Sequence, residues 1–107
     1  MEDAHDEEWP PPEARVRAAV WAAEGHLERR EYVAASNTLS DALLLAPPSE
    51  RPLLVGLRHL AAAGYRAQAL DRERALRQLA HARRRLAAFP DVSELVELVA
   101  GEVEHSR

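Results

Sequence analysis

The sequence contains no cysteine, which excludes disulfides, thiolate nucleophiles and cysteine-ligated zinc sites. It contains no lysine either, so all 14 of its lysine-or-arginine residues are arginine. No apolar run approaches the ~20 residues needed to span a membrane. The acidic start also lacks the basic and apolar segments of a secretory signal. These absences predict a cytoplasmic protein that does not contact the membrane.

Length and charge divide the chain into a tail and one domain. A chain of 107 residues, 47% of them hydrophobic, is long enough for a single core. The net charge is -4, and residues 1–13 carry six acids and no arginine. The acids are Glu2, Asp3, Asp6, Glu7, Glu8 and Glu13. We therefore predict a disordered, acidic and proline-rich tail over residues 1–12 and a helical domain over residues 13–107.

Apolar residues recur at helical spacing and predict five helices, with no pattern typical of strands. The first helix spans about residues 12–29, the second about 31–46 and the fourth about 72–88, whereas the third follows Pro48 and the fifth follows Pro90. No glycine-rich phosphate loop and no repeat long enough for a solenoid is present. Short connections favour antiparallel neighbours. The predicted fold is all-α: a single-domain, five-helix, mostly antiparallel bundle.

Capping residues and apolar positions complete the fold prediction. Ser49 and Asp71 are the predicted N-caps of the third and fourth helices, and Asp91 and Glu94 have capping-box spacing at the fifth. The third helix is apolar most of the way round, which predicts a central helix with Leu57 in the core. Among the other predicted core positions are Val16, Ala23, Leu27, Tyr32, Ala35, Leu39, Leu60, Ala75, Leu76, Leu79, Ala82, Leu86, Leu95, Val99 and Val103.

Arg83 falls within the apolar arc of the fourth helix. Burying an unpaired guanidinium is very costly. Arg83 therefore either extends to solvent at the rim of the domain or meets a carboxylate, with Asp41, Glu94 and Glu97 as candidates.

The five histidines do not form a pattern typical of a metal site. Helical metal sites usually place His or Glu at i+3 or i+4 on one face. None of His5, His26, His59, His81 and His105 has a His, Asp or Glu at i+4. We therefore predict no metal, no cofactor and no catalytic residue.

One candidate pocket remains between the second and third helices. Ser36 and Ser40 are i,i+4 neighbours at the edge of the apolar face, and His59 is the one credible base for an activated serine. His59 would have to face the second helix across the bundle to act in this way.

Charge and aromatic residues offer two further surfaces. Arg74, Arg77, Arg84 and Arg85 share one side of the fourth helix, here called the arginine stripe, which could neutralise phosphates. A solvated face is the competing interpretation and is favoured, because the chain is acidic overall and has no nucleic-acid motif. The acidic tail could also fold over the stripe. Trp21 lies outside the apolar face of the first helix, so it either marks an interface or is covered by residues 9–12.

Three segments resemble domain-of-unknown-function family 309, a group of small helical bacterial and archaeal proteins. They are residues 27–35 (LERREYVAA), residues 50–61 (ERPLLVGLRHLA) and the run from Arg74 to Pro90. The second resembles the family's Phe-Leu-Gln-Gly-Leu-Ile-Gln-Leu-Ala run. The resemblance covers roughly 60% of the chain and implies a helical fold. The apolar and glycine skeleton matches better than the polar residues.

The chain departs from this family at its polar positions. Where the family typically has His-Glu, then Glu and Trp, this sequence has Ser36, Asn37, Ser40 and Leu43. The two Gln positions of the family's third helix are Val55 and His59 here. Two serines cannot bind a metal tightly or act as an acid/base pair at neutral pH.

These observations favour a non-enzymatic module that binds a partner protein or associates with itself. The alternatives are a ligand-binding or catalytic pocket at Ser36, Ser40 and His59, and weak nucleic-acid binding through the arginine stripe. The possible interaction surface consists of Trp21 and the stripe.

Overall fold

The computed structural model describes residues 10–106. They form five α-helices: α1 (Pro12–Glu28), α2 (Tyr32–Leu43), α3 (Arg51–Gln68), α4 (Arg72–Leu86) and α5 (Ser93–Glu104). Two 3₁₀ turns, Pro48–Glu50 and Pro90–Val92, precede α3 and α5. None of the helices combines the length and apolarity needed to cross a membrane. The predicted all-α, five-helix fold is confirmed, whereas most of the predicted tail lies outside the described residues.

The central position of α3 organises the bundle. This helix packs against α2, α4 and α5, whereas α1 packs against α2 and α5. Leu57 is fully buried, as predicted, and every buried side chain of the described residues is apolar. Tyr32 near the start of α2 lies over Gly64 in the second half of α3, so these two helices run antiparallel.

The outer edge of α4 differs from the prediction. Leu76 is 41% exposed rather than buried, because it stands at the rim of the apolar arc, on the same edge as Arg83 one heptad later. Arg83 is itself partly exposed, and its guanidinium lies 2.9 Å from Oε2 of Glu97. Arg83 thus lies at the rim and also pairs with one of the three predicted carboxylates.

Only one of the three predicted caps is present. The Asp71 side chain accepts a hydrogen bond from the backbone N–H of Arg74 at 3.2 Å. The caps at Ser49 and Asp91 are wrong, because both residues lie within 3₁₀ turns that run directly into α3 and α5. A side-chain N-cap needs an extended backbone, and a helical turn does not supply it. The second helix ends at Leu43 rather than Ala46, since Leu44 and Leu45 already form a turn.

The same turn closes the α1–α2 and α3–α4 hairpins. The N–H of Glu31 donates to His26 O at 2.8 Å and that of Asp71 donates to Arg66 O at 2.8 Å. With the bonds from Arg30 to Leu27 and from Leu70 to Ala67, these are Schellman motifs. Arg30 and Leu70 have φ values of 63° and 62°, in the left-handed region where glycine is usual. Each hairpin therefore turns on a strained non-glycine residue.

Polar contacts hold the end of the bundle at which these turns lie. Arg30 Nε lies 3.1 Å from Oε1 of Glu102 on α5, and Gln68 donates to the Arg30 carbonyl at 3.3 Å. Arg72 Nη1 donates to the carbonyls of Glu104 and Ser106, at 3.0 and 2.8 Å. Arg72 thereby satisfies carbonyl groups left unpaired at the end of α5.

Replacing Leu70 by glycine should stabilise the protein. An L-residue in the left-handed region costs about 1–2 kcal/mol, and Leu70 is largely exposed, so its side chain contributes little packing. Glycine also raises the conformational entropy of the unfolded chain, which offsets part of this relief. We therefore expect a net gain of about 0.5–1 kcal/mol in the free energy of unfolding. Urea denaturation measures it. The matched control is Ala69→Gly, one residue earlier at φ -84°, which should lower the free energy of unfolding. If Leu70→Gly lowered it as well, the left-handed backbone at Leu70 would not be strained.

Alanine at Gly64 and at Gly101 should have opposite effects on stability. A Cβ on Gly64 would overlap the ring of Tyr32, whereas a Cβ on Gly101 would meet nothing within 4 Å. Overpacking costs about 1–3 kcal/mol, and alanine gains about 1 kcal/mol over glycine in helix propensity. We expect Gly64→Ala to lower the thermal midpoint and Gly101→Ala to raise it. Equal shifts would mean that Gly64 is not a close-packing position.

Candidate binding face

The side of the bundle away from α5 is lined by three rows of side chains, here called the open face. Helix α5 covers α3 on one side only, and residues at helical spacing on the other side of α3 are half-buried. The α2 row is Val33, Ser36, Asn37 and Ser40; the α3 row is Val55, His59, Ala62 and Arg66; the α4 row is Gln78, His81 and Arg85. Arg58 and Arg84 are exposed beside these rows.

A cavity of about 290 Å³ lies between α2 and α3 on this face. It is lined by Tyr32, Val33, Ser36, Asn37, Ala61, Ala62, Tyr65 and Arg66. Val33 and Tyr65 are 56% and 45% exposed, so the cavity presents apolar surface to solvent. An amide, a hydroxyl and a guanidinium surround that surface and can supply hydrogen bonds.

His59 makes its contacts with α4. Its Nδ1 lies 2.7 Å from Oε1 of Gln78, and because an amide oxygen only accepts, Nδ1 carries the hydrogen. The ring centroids of His59 and His81 are 5.1 Å apart. His81 Nδ1 lies 2.7 Å from Nη2 of Arg84, and because a guanidinium only donates, that nitrogen accepts. Nδ1 therefore donates in His59 and accepts in His81.

Arg84 and the other groups around His81 keep its imidazole neutral. Desolvation is the largest cause of its lowered pKa, followed by the positive charge of Arg84, then His59, Arg85 and Arg77. Each of these effects disfavours adding a proton to the ring. His81 is thus an uncharged polar group among arginines.

The predicted pocket residues share the open face but do not form one site. Ser36 lines the α2–α3 cavity, and Ser40 lies one turn further along α2. His59 hydrogen-bonds Gln78 and neither serine. Sequence analysis missed Gln78, because a glutamine among arginines carries no periodic signal and its partner is on another helix.

The arginine stripe divides into a paired part and a free part. Arg74 Nε lies 3.6 Å from Asp71 Oδ2, and Arg77 Nη2 lies 3.4 Å from Glu73 Oε2. No carboxylate within residues 10–106 pairs with Arg84 or Arg85, nor with Arg58 on α3. The unpaired positive charge therefore lies toward the end of the bundle where α4 ends.

Trp21 belongs to a different surface. Its side chain is 79% exposed on α1, beside a cavity of about 360 Å³ that Glu24, His26 and Arg29 also line. Pro10 to Pro12 leave it uncovered, and Trp9 lies outside the described residues. Across residues 10–106, no three His, Asp or Glu side chains come together as metal ligands would.

The lowered pKa of His81 predicts a loss of stability in acid. Folded His81 binds a proton less readily than the unfolded chain, whose histidine has the ordinary value of 6.5. This contribution to the free energy of unfolding is present above pH 6.5 and is lost as the pH falls through the lowered folded pKa. Between about pH 7.5 and about pH 5 the urea midpoint should fall more in the wild type than in His81→Gln. His105→Gln, a change at an exposed histidine, should keep the wild-type pH dependence; equal slopes in all three would contradict the prediction.

Comparisons with protein-family models, curated proteins and solved structures find no match to this chain. The resemblance to family 309 therefore stays a prediction that rests on the residues quoted above.

Proposed function

We propose that the protein is a non-enzymatic interaction module whose open face binds an acidic, partly apolar segment of another protein. The observation that carries this proposal is a juxtaposition on one face. Arg58, Arg84 and Arg85 have no carboxylate partner within residues 10–106, and the cavity with Val33 and Tyr65 opens on the same face. Exposed apolar side chains rimmed by polar groups are typical of binding sites.

Charge decides the kind of segment that fits. Arginines without a carboxylate partner attract carboxylates and hold them with bidentate hydrogen bonds, while neutral His81 adds no further cation. A carboxylate-rich segment gains long-range attraction and a fixed register from such a face. Its apolar side chains would enter the α2–α3 cavity.

Nucleic-acid binding through the arginine stripe has less support. Two of the four stripe residues, Arg74 and Arg77, already pair with acids one turn away. A phosphate backbone would meet only the remaining two and would leave the apolar cavity unused. Catalysis at Ser36 or Ser40 also has less support, because the hydrogen bond of His59 is to Gln78 on α4 and none joins its ring to either serine.

We also propose that the chain is a member of family 309 and that it is cytoplasmic. The resemblance matches the chain at Gly56, which lies in close contact with Leu86. It fails at Ser36, Asn37, Ser40, Val55 and His59 on the open face, and at Leu43, which is buried. We infer that a shared scaffold carries a changed binding surface here.

Photo-crosslinking in the native host tests the proposed function. A photoreactive residue in place of Asn37, which is exposed on the open face, should form an adduct with a partner protein. The double variant Arg84→Glu/Arg85→Glu should reduce that adduct at least tenfold, about the effect of losing 1.4 kcal/mol of binding free energy. The matched control is Arg17→Glu, an exposed arginine on α1, which should leave the adduct unchanged.

Four outcomes distinguish the alternatives. An adduct that persists in the double variant contradicts the proposal, as does the same adduct from a photoreactive residue at Glu94 on α5. Adducts with nucleic acid would support the arginine-stripe interpretation instead. Adducts with a second copy of the chain would favour the self-associating module, for which the exposed Trp21 is the candidate contact.

A further inference from the structure

An acidic segment with charge complementary to the open face is present in this chain itself. Residues 1–9 contain five carboxylates, at Glu2, Asp3, Asp6, Glu7 and Glu8, and no arginine. The open face has four arginines for which residues 10–106 supply no carboxylate, Arg58, Arg66, Arg84 and Arg85. Residues 1–9 and the open face thus carry complementary charge.

The attachment point of residues 1–9 lies at the correct end of the bundle. Helix α1 begins at Pro12 and its hairpin turn follows Glu28, so Pro12 lies at the end where α2 finishes. Arg51 Nη1 donates to the Leu43 carbonyl at 3.0 Å, which places the start of α3 at this same end. A Cβ on Gly56 would lie 2.5 Å from Cδ2 of Leu86, so α4 finishes there too, with Arg84 and Arg85 beside Leu86.

The length of the segment is sufficient for it to reach the face. An extended chain spans about 3.3–3.6 Å per residue, so nine residues reach roughly 30 Å. Neighbouring helices lie about 8–10 Å apart, so α3 is about 20 Å from α1 and α4 at most about 30 Å. Pro10 and Pro11, which precede α1, favour extended backbone. The middle of the segment can therefore meet Arg58, and its first acids can meet Arg84 and Arg85.

We propose that residues 1–9 bind the open face of their own chain through the carboxylates of the segment and Arg58, Arg84 and Arg85. The proposal rests on the proposed function, since it names the occupant that a partner's acidic segment must displace. Tethering gives such a segment an effective concentration in the millimolar range. A dissociation constant of about 0.1 mM for the free segment is then enough to keep the face mostly occupied. The segment also weakens partner binding. The partner's apparent dissociation constant is its intrinsic value divided by the fraction of molecules whose open face is free.

A single spin label tests this placement. Because the chain has no cysteine, Ala4→Cys introduces one labelling site and leaves all five carboxylates in place. The label should broaden the amide NMR signals of His59, Ala62 and His81 on the open face and should spare Leu98 and Glu94 on α5. High salt should remove the broadening, because the Debye length falls from about 10 Å at 0.1 M to about 3 Å at 1 M.

Two variants of the full chain provide the controls. Neutralising the segment with Glu2→Gln, Asp3→Asn, Asp6→Asn, Glu7→Gln and Glu8→Gln should abolish the broadening, and so should Arg84→Glu/Arg85→Glu. The salt series tests the same contact in the unaltered chain and does not depend on the folding of any variant. Neutralising the segment should also raise the yield of the Asn37 crosslink several-fold.

Each outcome decides the proposal. Broadening of the open face that is independent of protein concentration supports it. Absence of broadening, broadening centred on α1 or α5, or broadening that survives in the neutralised chain would overturn it. Broadening seen only between labelled and unlabelled copies would assign the segment to a second molecule and contradict the intramolecular contact. A partner crosslink that persists alongside any of these results leaves the proposed function standing.

Discussion

The close approach of helices to α3 is the constraint on which the rest of the molecule depends. Gly64 lets the ring of Tyr32 lie against the α3 backbone, and Gly56 does the same for Leu86. These contacts hold α2 and α4 close to α3 on either side of its outward row, which becomes the floor between them. Because every buried side chain of the described core is apolar, packing of these side chains is the main determinant of this arrangement. The cavity and the histidine pair are both consequences of it.

The face that results separates apolar contact from charge. On the α2 side it offers Val33 and Tyr65, and on the α4 side it offers arginines whose positive charge is not neutralised by residues 10–106. Between them, the rings of His59 and His81 lie 5.1 Å apart, and desolvation and the positive charge of Arg84 oppose protonation of His81. The ligand that we propose for this face combines carboxylates with apolar side chains.

The sequence predicts the helices and most of the core because the spacing of apolar residues along each helix shows which side of that helix is buried. Leu57, Leu39 and Val99 show it directly, being fully buried. Ser49 and Asp91 failed as caps because 3₁₀ turns extend the helices backward, which depends on packing and not on residue type. The contact of His59 with Gln78 depends on how α3 and α4 face each other, and no spacing along the chain encodes that. For the same reason, the sequence does not show that Arg84 and Arg85 lack a carboxylate partner within residues 10–106, since ion pairing depends on neighbours in space.

Helix α1 is held differently from the other long helices. Only Val16, Ala23 and Leu27 of its 17 residues are buried, and α3 does not rank among its main neighbours. Its turn is tied to α5 through the exposed ion pair of Arg30 with Glu102, which salt weakens. Local opening begins where burial is least, so α1 is the first helix expected to detach on heating. Such a state would keep α2, α3 and α4 packed on one another while it removes Val16, Ala23 and Leu27 from the core, so heating should expose the surface of α2 that α1 covers before the rest of the bundle opens.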